Sequence, residues 1–415
     1  MPTRLDLFRI NNVERNWNEN YEELEKYYDT LIEYSHIERA NRWKRDYSSV
    51  DAYRRSVMLN RARFLDMMGG WHWHRTAELN PQLRRIAETD SYTVDEVKIR
   101  AFQYAPPIEN DPLSPQPPFP NPPYQRGVGG CTVRGIKGEN AEPLDVNMGG
   151  ILLIPKDFEK VAEGDTESAN ASGFELPIYP QRKPAVIAQH GLSGSPETVC
   201  GLTAEDDAYH AFGATLAEAG YVVFAPRMVT FADKRQRLYR KSMLMGQRLM
   251  GLEMFKISRV VDYLQTLPDV DFERIGIYGL SQGGQTALWA SAIEERIVAT
   301  VVSGFFNQRT DKMVKKSPHY IAYIDTNEED KHYFGQLSEF SDSDIGSLIC
   351  PRPIFIEAGT NDGAVWVEMA KQEFEKLRYH YEQLGIADRV EMGIFEGGHE
   401  IRAIESLAFL DRWLN

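Results

Sequence analysis

Past Pro184 the chain repeats one pattern, and that pattern narrows the fold more than anything else in it. The runs "PAVIAQHG", "YVVFAPR", "RIGIYGL", "IVATVVSGF" and "RPIFIEAG" are short, nearly continuous in apolar residues and rich in β-branched side chains. Strands buried on both faces of a parallel sheet read this way, because neither face can be polar. Between them lie "DAYHAFGATLAEAG", "GLEMFKISRVVDYLQTL", "SQGGQTALWASAIEE" and "VWVEMAKQEFEKLRYHYEQLG", each long enough for a helix. Parallel neighbours need a crossover connection, and helices supply it. The expected fold is α/β, a doubly wound and mostly parallel sheet. A last strand, "VEMGIF", and a last helix in "AIESLAFLDRWL" close the pattern.

The first 90 residues lack that alternation and read as a helical extension. Trp17, Tyr21, Leu24, Tyr28 and Leu31 recur at steps of four and three, which puts them on one helix face. A second helical stretch starts at serines suited to an N-cap and stops at Gly69-Gly70. A lid or a homo-oligomer surface is the expected use of this part. Residues 91–415 then form the α/β domain, starting with the strand-like "SYTVDEVKIRAFQ". Next comes "APPIENDPLSPQPPFPNPPYQRG", which holds nine of the 22 prolines and so excludes regular helix or central strand. It is read as a surface insertion within a hairpin, since strand-like "CTVRGIK" and "MGGILLIP" follow. A second departure, from Phe305 to Leu348, breaks the alternation between two core strands and is expected over the ends of the sheet.

The formal net charge of −14 argues against non-specific nucleic-acid binding, which needs a basic footprint. Three widely spaced cysteines, Cys131, Cys200 and Cys350, give neither a disulfide framework nor a zinc pair. The N-terminus carries no apolar signal core and no run is long enough to span a membrane. A cytoplasmic protein without a membrane partner is expected. In "GGWHWHR", His72 and His74 lack a carboxylate or cysteine partner nearby. They read as amphipathic side chains in an aromatic turn, and no metal site is assigned.

Ligands of open α/β sheets bind beyond the carboxyl ends of the strands. There, "RIGIY" is followed by Gly279-Leu280-Ser281-Gln282-Gly283 and then a helix. This is G-x-S-x-G in a strand–turn–helix setting, where the serine sits on a strained turn with its hydroxyl exposed. The competing reading is a serine that simply caps the helix. A serine needs a base to take its proton. His399, in the loop between the last strand and last helix, is the candidate. His36, His210 and His380 fall in helical patterns, His319 and His332 in the second insertion, and His190 reads as a loop-shaping residue. Asp362, just past the strand "RPIFIEA", is the carboxylate expected to orient the imidazole, with Glu357 in reserve. The chain order serine, acid, histidine is the one this architecture requires. The backbone N–H groups of Gln282 and of Leu192 are the expected oxyanion donors, with Gly191 as the alternative to Leu192. Phe305, Phe306 and Trp366 follow strand ends and are candidates for the pocket wall.

With those residues in place, the chain resembles the α/β-hydrolase superfamily, closest to its dienelactone-hydrolase and acetyl-xylan-esterase-like branch. The stretches that carry the likeness are "VVDYLQTLPDVDFERIGIYGLSQGGQTALWASAIEERIVATVVSGF", "ICPRPIFIEAGTNDGAV" and "VEMGIFEGGHEIRAIESLAFLDRWL". The resemblance covers roughly Ser91 to Asn415. It implies an α/β-hydrolase fold, a serine esterase acting on short-acyl esters of small molecules or carbohydrates, and no metal or organic cofactor. Amide, peptide, lactone or carbon–carbon bond cleavage by the same triad is the alternative, and a non-catalytic binding protein a further one. The proline-rich insertion and the segment after Phe305 depart from the family pattern and bear on the substrate.

Overall fold

The structure, a computed structural model, describes residues 13–71, 73, 78–104, 143–156, 182–192, 194–203, 208–230 and 232–415. His72, His74, Cys131, the proline-rich insertion and the strand-like "CTVRGIK" lie outside them. Nine strands form one sheet: β1 (Gln82–Glu88), β2 (Tyr92–Tyr104), β3 (Leu144–Pro155), β4 (Lys183–Gln189), β5 (Val222–Pro226), β6 (Val270–Leu280), β7 (Ile297–Ser303), β8 (Ile354–Gly359) and β9 (Val390–Phe395). Their order is β1-β2-β3-β5-β4-β6-β7-β8-β9. The first four in that order pair antiparallel, and every pairing from β5 to β9 is parallel. The expected doubly wound sheet is present. It begins earlier than the sequence pattern indicated, because β1 lies within the first 90 residues as an edge strand.

Alternate residues of the central strands feed two cores, as period-2 geometry requires. Ala185 and Ile187 of β4 and Val222 and Phe224 of β5 face one core, with the helices Leu249–Leu264, Gln282–Ile293 and Val367–Gln383. Val186, Ala188, Val223 and Ala225 face the other, against the helices Phe212–Glu218 and Glu405–Leu414. Both faces are covered, which is why these strands carry no polar alternation.

The N-terminal helix Val13–Asn41 forms as its periodicity predicts, but its apolar stripe is not packed on this chain. Tyr21, Leu24, Tyr28 and Leu31 are each about half exposed. Only its last turns dock. Arg39 donates to the Leu337 carbonyl and pairs with Asp344 at 3.2 Å. The segment that follows is buried. Trp43 meets Phe340 edge-on, Phe64 meets both Phe340 and Trp289, and the Tyr53 hydroxyl donates to Ser347 O at 2.9 Å. Residues 39–68 therefore brace the outer side of the insertion between β7 and β8.

Candidate active site

The turn after β6 is built around one strained residue. Ser281 has φ 61° and ψ −121°, a region that L side chains rarely adopt and that costs on the order of 1–3 kcal/mol. The flanking glycines make it feasible. A Cβ on Gly279 would lie 2.3 Å from the Gly283 carbonyl oxygen, and one on Gly283 would lie 2.2 Å from Gln189 O on β4. Ser281 N–H donates to Ser303 O of β7 at 2.9 Å, and Ser281 O accepts the first helical bond from Gln285 N–H at 2.9 Å. The serine thus occupies the N-cap position, yet its side chain makes no capping bond. A plain helix cap would use the hydroxyl for that bond. Here the hydroxyl is left to the pocket above.

Asp362 and His399 come together from the ends of β8 and β9. His399 Nδ1 lies 2.8 Å from Asp362 Oδ2. The other carboxylate oxygen accepts the N–H groups of Ala364 at 2.7 Å and Val365 at 3.0 Å. The ordinary turn role of an N-D-G aspartate and the orienting role are thus met by one buried side chain, one oxygen for each. The histidine loop rests directly on the end of β8. A Cβ on Gly359 would lie 2.2 Å from Gly398 O, and Asn361 N–H donates to Gly397 O at 2.8 Å. His399 also packs on Gly304, where an added Cβ would sit 3.0 Å from its Cε1. No hydrogen bond joins the Ser281 hydroxyl to His399 among the described residues. Such bonds commonly run long without substrate and tighten in its complex.

The reserve carboxylate has other work. Glu357 is buried and accepts from the Tyr278 hydroxyl at 2.7 Å and Ser406 Oγ at 2.9 Å, and the Arg402 and Ala403 N–H groups at 3.3 Å also point to it. It moors the chain after His399 rather than touching the ring. Burial, with Glu357 alongside, pushes the Tyr278 phenol well above its usual range, so it stays neutral as a donor.

The two alternatives for the second oxyanion donor separate cleanly. Gly191 N–H is taken by the Tyr209 hydroxyl at 2.8 Å. Leu192 lines the same pocket as Ser281 and Gln282, and its N–H donates to nothing among the described residues. His190 shapes this loop: it is fully buried, Nδ1 lies 2.8 Å from Gly191 O, and Nε2 accepts the Met228 N–H at 3.1 Å. Burial lowers its pKa, which keeps the ring neutral and able to accept.

The pocket over Ser281 has a volume of about 270 Å³. Phe305 lines it, as do Gly363, Ala364 and Val365 beside Asp362. Phe306 belongs to the core, and Trp366 stacks on His319 with ring centroids 4.4 Å apart, so neither is part of the lining. The remaining wall comes from the insertion between β7 and β8: Lys312, Ile321, Tyr323, Thr326, Glu328 and Lys331. None of these side chains was singled out from the sequence. "TDKMVKK" and "NEEDKHY" look like solvated charge runs, and nothing local marks Lys312 and Lys331 as buried. No described residue of the N-terminal extension lines the pocket, so a lid role has no support there.

The insertion is pinned by one ion pair within itself, by another from a helix before β6, and by a lysine that reaches the elbow helix. Arg309 reaches Asp342 with a two-pronged contact at 2.6 and 2.9 Å, both residues fully enclosed. Arg235 pairs with Asp330 at 2.7 Å. Lys331 reaches back to the helix after the elbow, donating to Gln282 Oε1 and, at 3.1 Å, to Gln285 Oε1.

Comparison with known proteins agrees with this architecture. The model of the prolyl oligopeptidase family matches residues 212–415, which hold the elbow, Asp362 and His399. The fold is the α/β-hydrolase fold. The chain is 28% identical over 246 residues to YtaP of Bacillus subtilis (strain 168), a protein named as a hydrolase; the match covers 56% of this chain and 79% of that one. In fold it is similar to a Bacteroides fragilis NCTC 9343 protein designated an acetyl xylan esterase, with a TM-score of 0.57, 14% identity, and 89% and 82% of the two chains covered. It is also similar to a CE15 glucuronoyl esterase from Teredinibacter turnerae T7901, with a TM-score of 0.53, 15% identity and 90% of each chain covered. Among the described residues no helix is long and apolar enough to cross a membrane, and no cluster of three or more His, Cys, Asp or Glu could hold a metal ion.

Proposed function

We propose that this hydrolase cleaves carboxylic esters through an acyl-enzyme on Ser281. The observation that carries the reading is the His399–Asp362 bond of 2.8 Å beside a pocket lined by Ser281, Gln282 and Leu192. Ser281 Oγ attacks the ester carbonyl while His399 Nε2 takes its proton. Asp362 holds Nδ1–H, fixes the tautomer and stabilises the imidazolium. The carbonyl oxygen becomes an oxyanion that receives the N–H groups of Gln282 and Leu192, each such donor worth roughly 10²–10³ in rate. His399 then protonates the departing alcohol. In the second half it deprotonates water, which attacks the acyl carbon, and Ser281 leaves with the proton returned.

A pocket of about 270 Å³ suits a short acyl group. Esters of carbohydrates are the proposed substrate class, supported by the names of the two structural relatives. The match to the prolyl oligopeptidase family model favours a second reading, in which the same residues cleave a peptide bond. Rates on p-nitrophenyl acetate, butyrate and octanoate against aminoacyl p-nitroanilides separate the two. Esters, the acetate and butyrate foremost, are expected to turn over faster; faster anilide cleavage would overturn the esterase reading. Loss of fluorophosphonate labelling in Ser281→Ala is the matching test of the nucleophile. The exposed stripe of Tyr21, Leu24, Tyr28 and Leu31 supports self-association through the N-terminal helix, and light scattering of the chain with and without those side chains changed to serine tests it.

A further inference from the structure

The wall that the insertion adds to the pocket is cationic where an esterase for neutral acyl groups needs none. Lys312 and Lys331 are each about 95% buried, yet both line the pocket beside Ser281. Their situations differ. Lys331 is spoken for: it donates to Gln282 Oε1 and Gln285 Oε1 and lies 3.8 Å from the Glu328 carboxylate. Lys312 donates one hydrogen bond, to Ile321 O at 2.7 Å, and has no carboxylate within ion-pair distance among the described residues. The faces of Tyr323 at 4.8 Å and Tyr320 at 5.4 Å complete its surroundings. The nearby carboxylates are committed elsewhere, Asp342 to Arg309, Asp362 to His399 and Glu328 to Lys331.

An ammonium has three donors, and removing it from water without a counter-charge is costly. Burial depresses both lysines to about 8, so at neutral pH each still carries its charge. A buried cation with unused donors, facing the space where an ester must sit, is a receptor for an anion. We infer that Lys312 is a specificity-determining residue that binds a carboxylate carried by the substrate itself, so that the preferred esters are half-esters of dicarboxylic acids or esters of acidic, uronic-acid-type compounds. The inference rests on the esterase reading of this site. Lys331, held by the two glutamines and beside Glu328, is a second cation in the same pocket wall.

The test compares esters that differ only in charge. Mono-4-nitrophenyl succinate is set against 4-nitrophenyl butyrate for the acyl side, and 4-carboxyphenyl acetate against phenyl acetate for the alcohol side. In at least one pair the anionic ester is expected to have kcat/KM higher by about tenfold or more, the change that a single favourable charge contact readily supplies. Lys312→Gln should abolish that preference, and Lys312→Arg should keep most of it. Lys312 also ties the insertion to Ile321, so a purely structural role would lower both members of a pair together and leave their ratio unchanged. That result overturns the inference, as does a wild type that prefers the neutral ester in both pairs. Fluorophosphonate labelling of Ser281 in the same samples separates the two levels. Labelling without an anionic preference removes this inference alone, and no labelling removes the esterase reading beneath it.

Discussion

The elbow after β6 and the insertion between β7 and β8 face each other across the pocket and are made in opposite ways. The elbow is local. Five residues, Gly279 to Gly283, fix its geometry, and a Cβ on either glycine would meet backbone within 2.3 Å. The insertion is held from a distance, by Arg235, Trp43, Arg45 and Phe64, all far from it in the chain. The elbow is where the proposed chemistry sits, and its glycines leave no room for a side chain. The insertion supplies pocket wall, the place we propose for selectivity, and is held by the N-terminal brace.

This contrast can be broken by mutation, and the largest effect belongs to the elbow. Ser281→Ala should lower kcat on p-nitrophenyl acetate by about 10⁴-fold or more with the melting temperature unchanged, because only the reacting oxygen is lost. Retained activity would place the nucleophile elsewhere. Next comes the insertion. Asp342→Ala strands the enclosed Arg309 guanidinium and should destabilise the fold by about 3–5 kcal/mol in chemical denaturation, with KM rising more than kcat falls. If the melt is unmoved, the insertion is held by something other than its ion pairs.

The brace should also be the part most sensitive to acid. His380 is buried, its Nδ1 accepts the Tyr47 hydroxyl at 2.7 Å, and its pKa is pushed down to about 3 by burial, with Arg45 adding to the effect. The folded chain therefore binds fewer protons there than the unfolded chain, whose histidine titrates near 6.5. Stability from this site is fully present above pH 6.5 and is lost as pH falls from there toward 3, a change on the order of a few kcal/mol. Denaturation at pH 7 and pH 5 should differ more for the native chain than for His380→Phe. The smallest effect returns to the elbow's edge. Tyr209→Phe removes the partner of Gly191 N–H and lets the loop bearing Leu192 shift, lowering kcat by roughly tenfold for a cost of about 1–3 kcal/mol in a buried donor left unpaired. No change in kcat would mean that the Leu192 N–H is positioned without it.

The same division governs what could be read from the sequence. The sheet was legible because each central strand, such as β4 or β5, is apolar on both faces and ends at a glycine or proline turn. Ser281, Asp362 and His399 could be nominated because the roles proposed for them depend on position relative to strand ends and on chain order, which sequence records directly. The bond between His399 and Asp362 needed the structure, as did the hold of the distant Tyr209 hydroxyl on Gly191 N–H, which favours Leu192 as the proposed donor. Lys312 and Lys331 were not legible at all. Their burial arises from contacts with Gln282, Gln285 and the Tyr320–Tyr323 stretch, and a lysine's own neighbours do not tell whether water will reach it. The N-terminal stripe failed in the other direction. Its period predicts the helix but not the partner, and Tyr21, Leu24, Tyr28 and Leu31 stay about half exposed among the described residues.

The row of backbone bonds that runs across the strand ends has a wider consequence. Ser281 N–H reaches Ser303 O, Gly304 N–H reaches Glu357 O, Thr360 N–H reaches Phe395 O, and Asn361 N–H reaches Gly397 O. These are main-chain contacts, so the spacing from nucleophile to histidine is measured out by the sheet and is indifferent to most side-chain changes along the way. No residue of the insertion takes part in these bonds; it links the strands that do. A chain built like this can exchange its selectivity segment as a unit while the alignment of the reacting atoms is carried forward untouched, which makes the stretch between β7 and β8 the natural place for new substrate preferences to be tried.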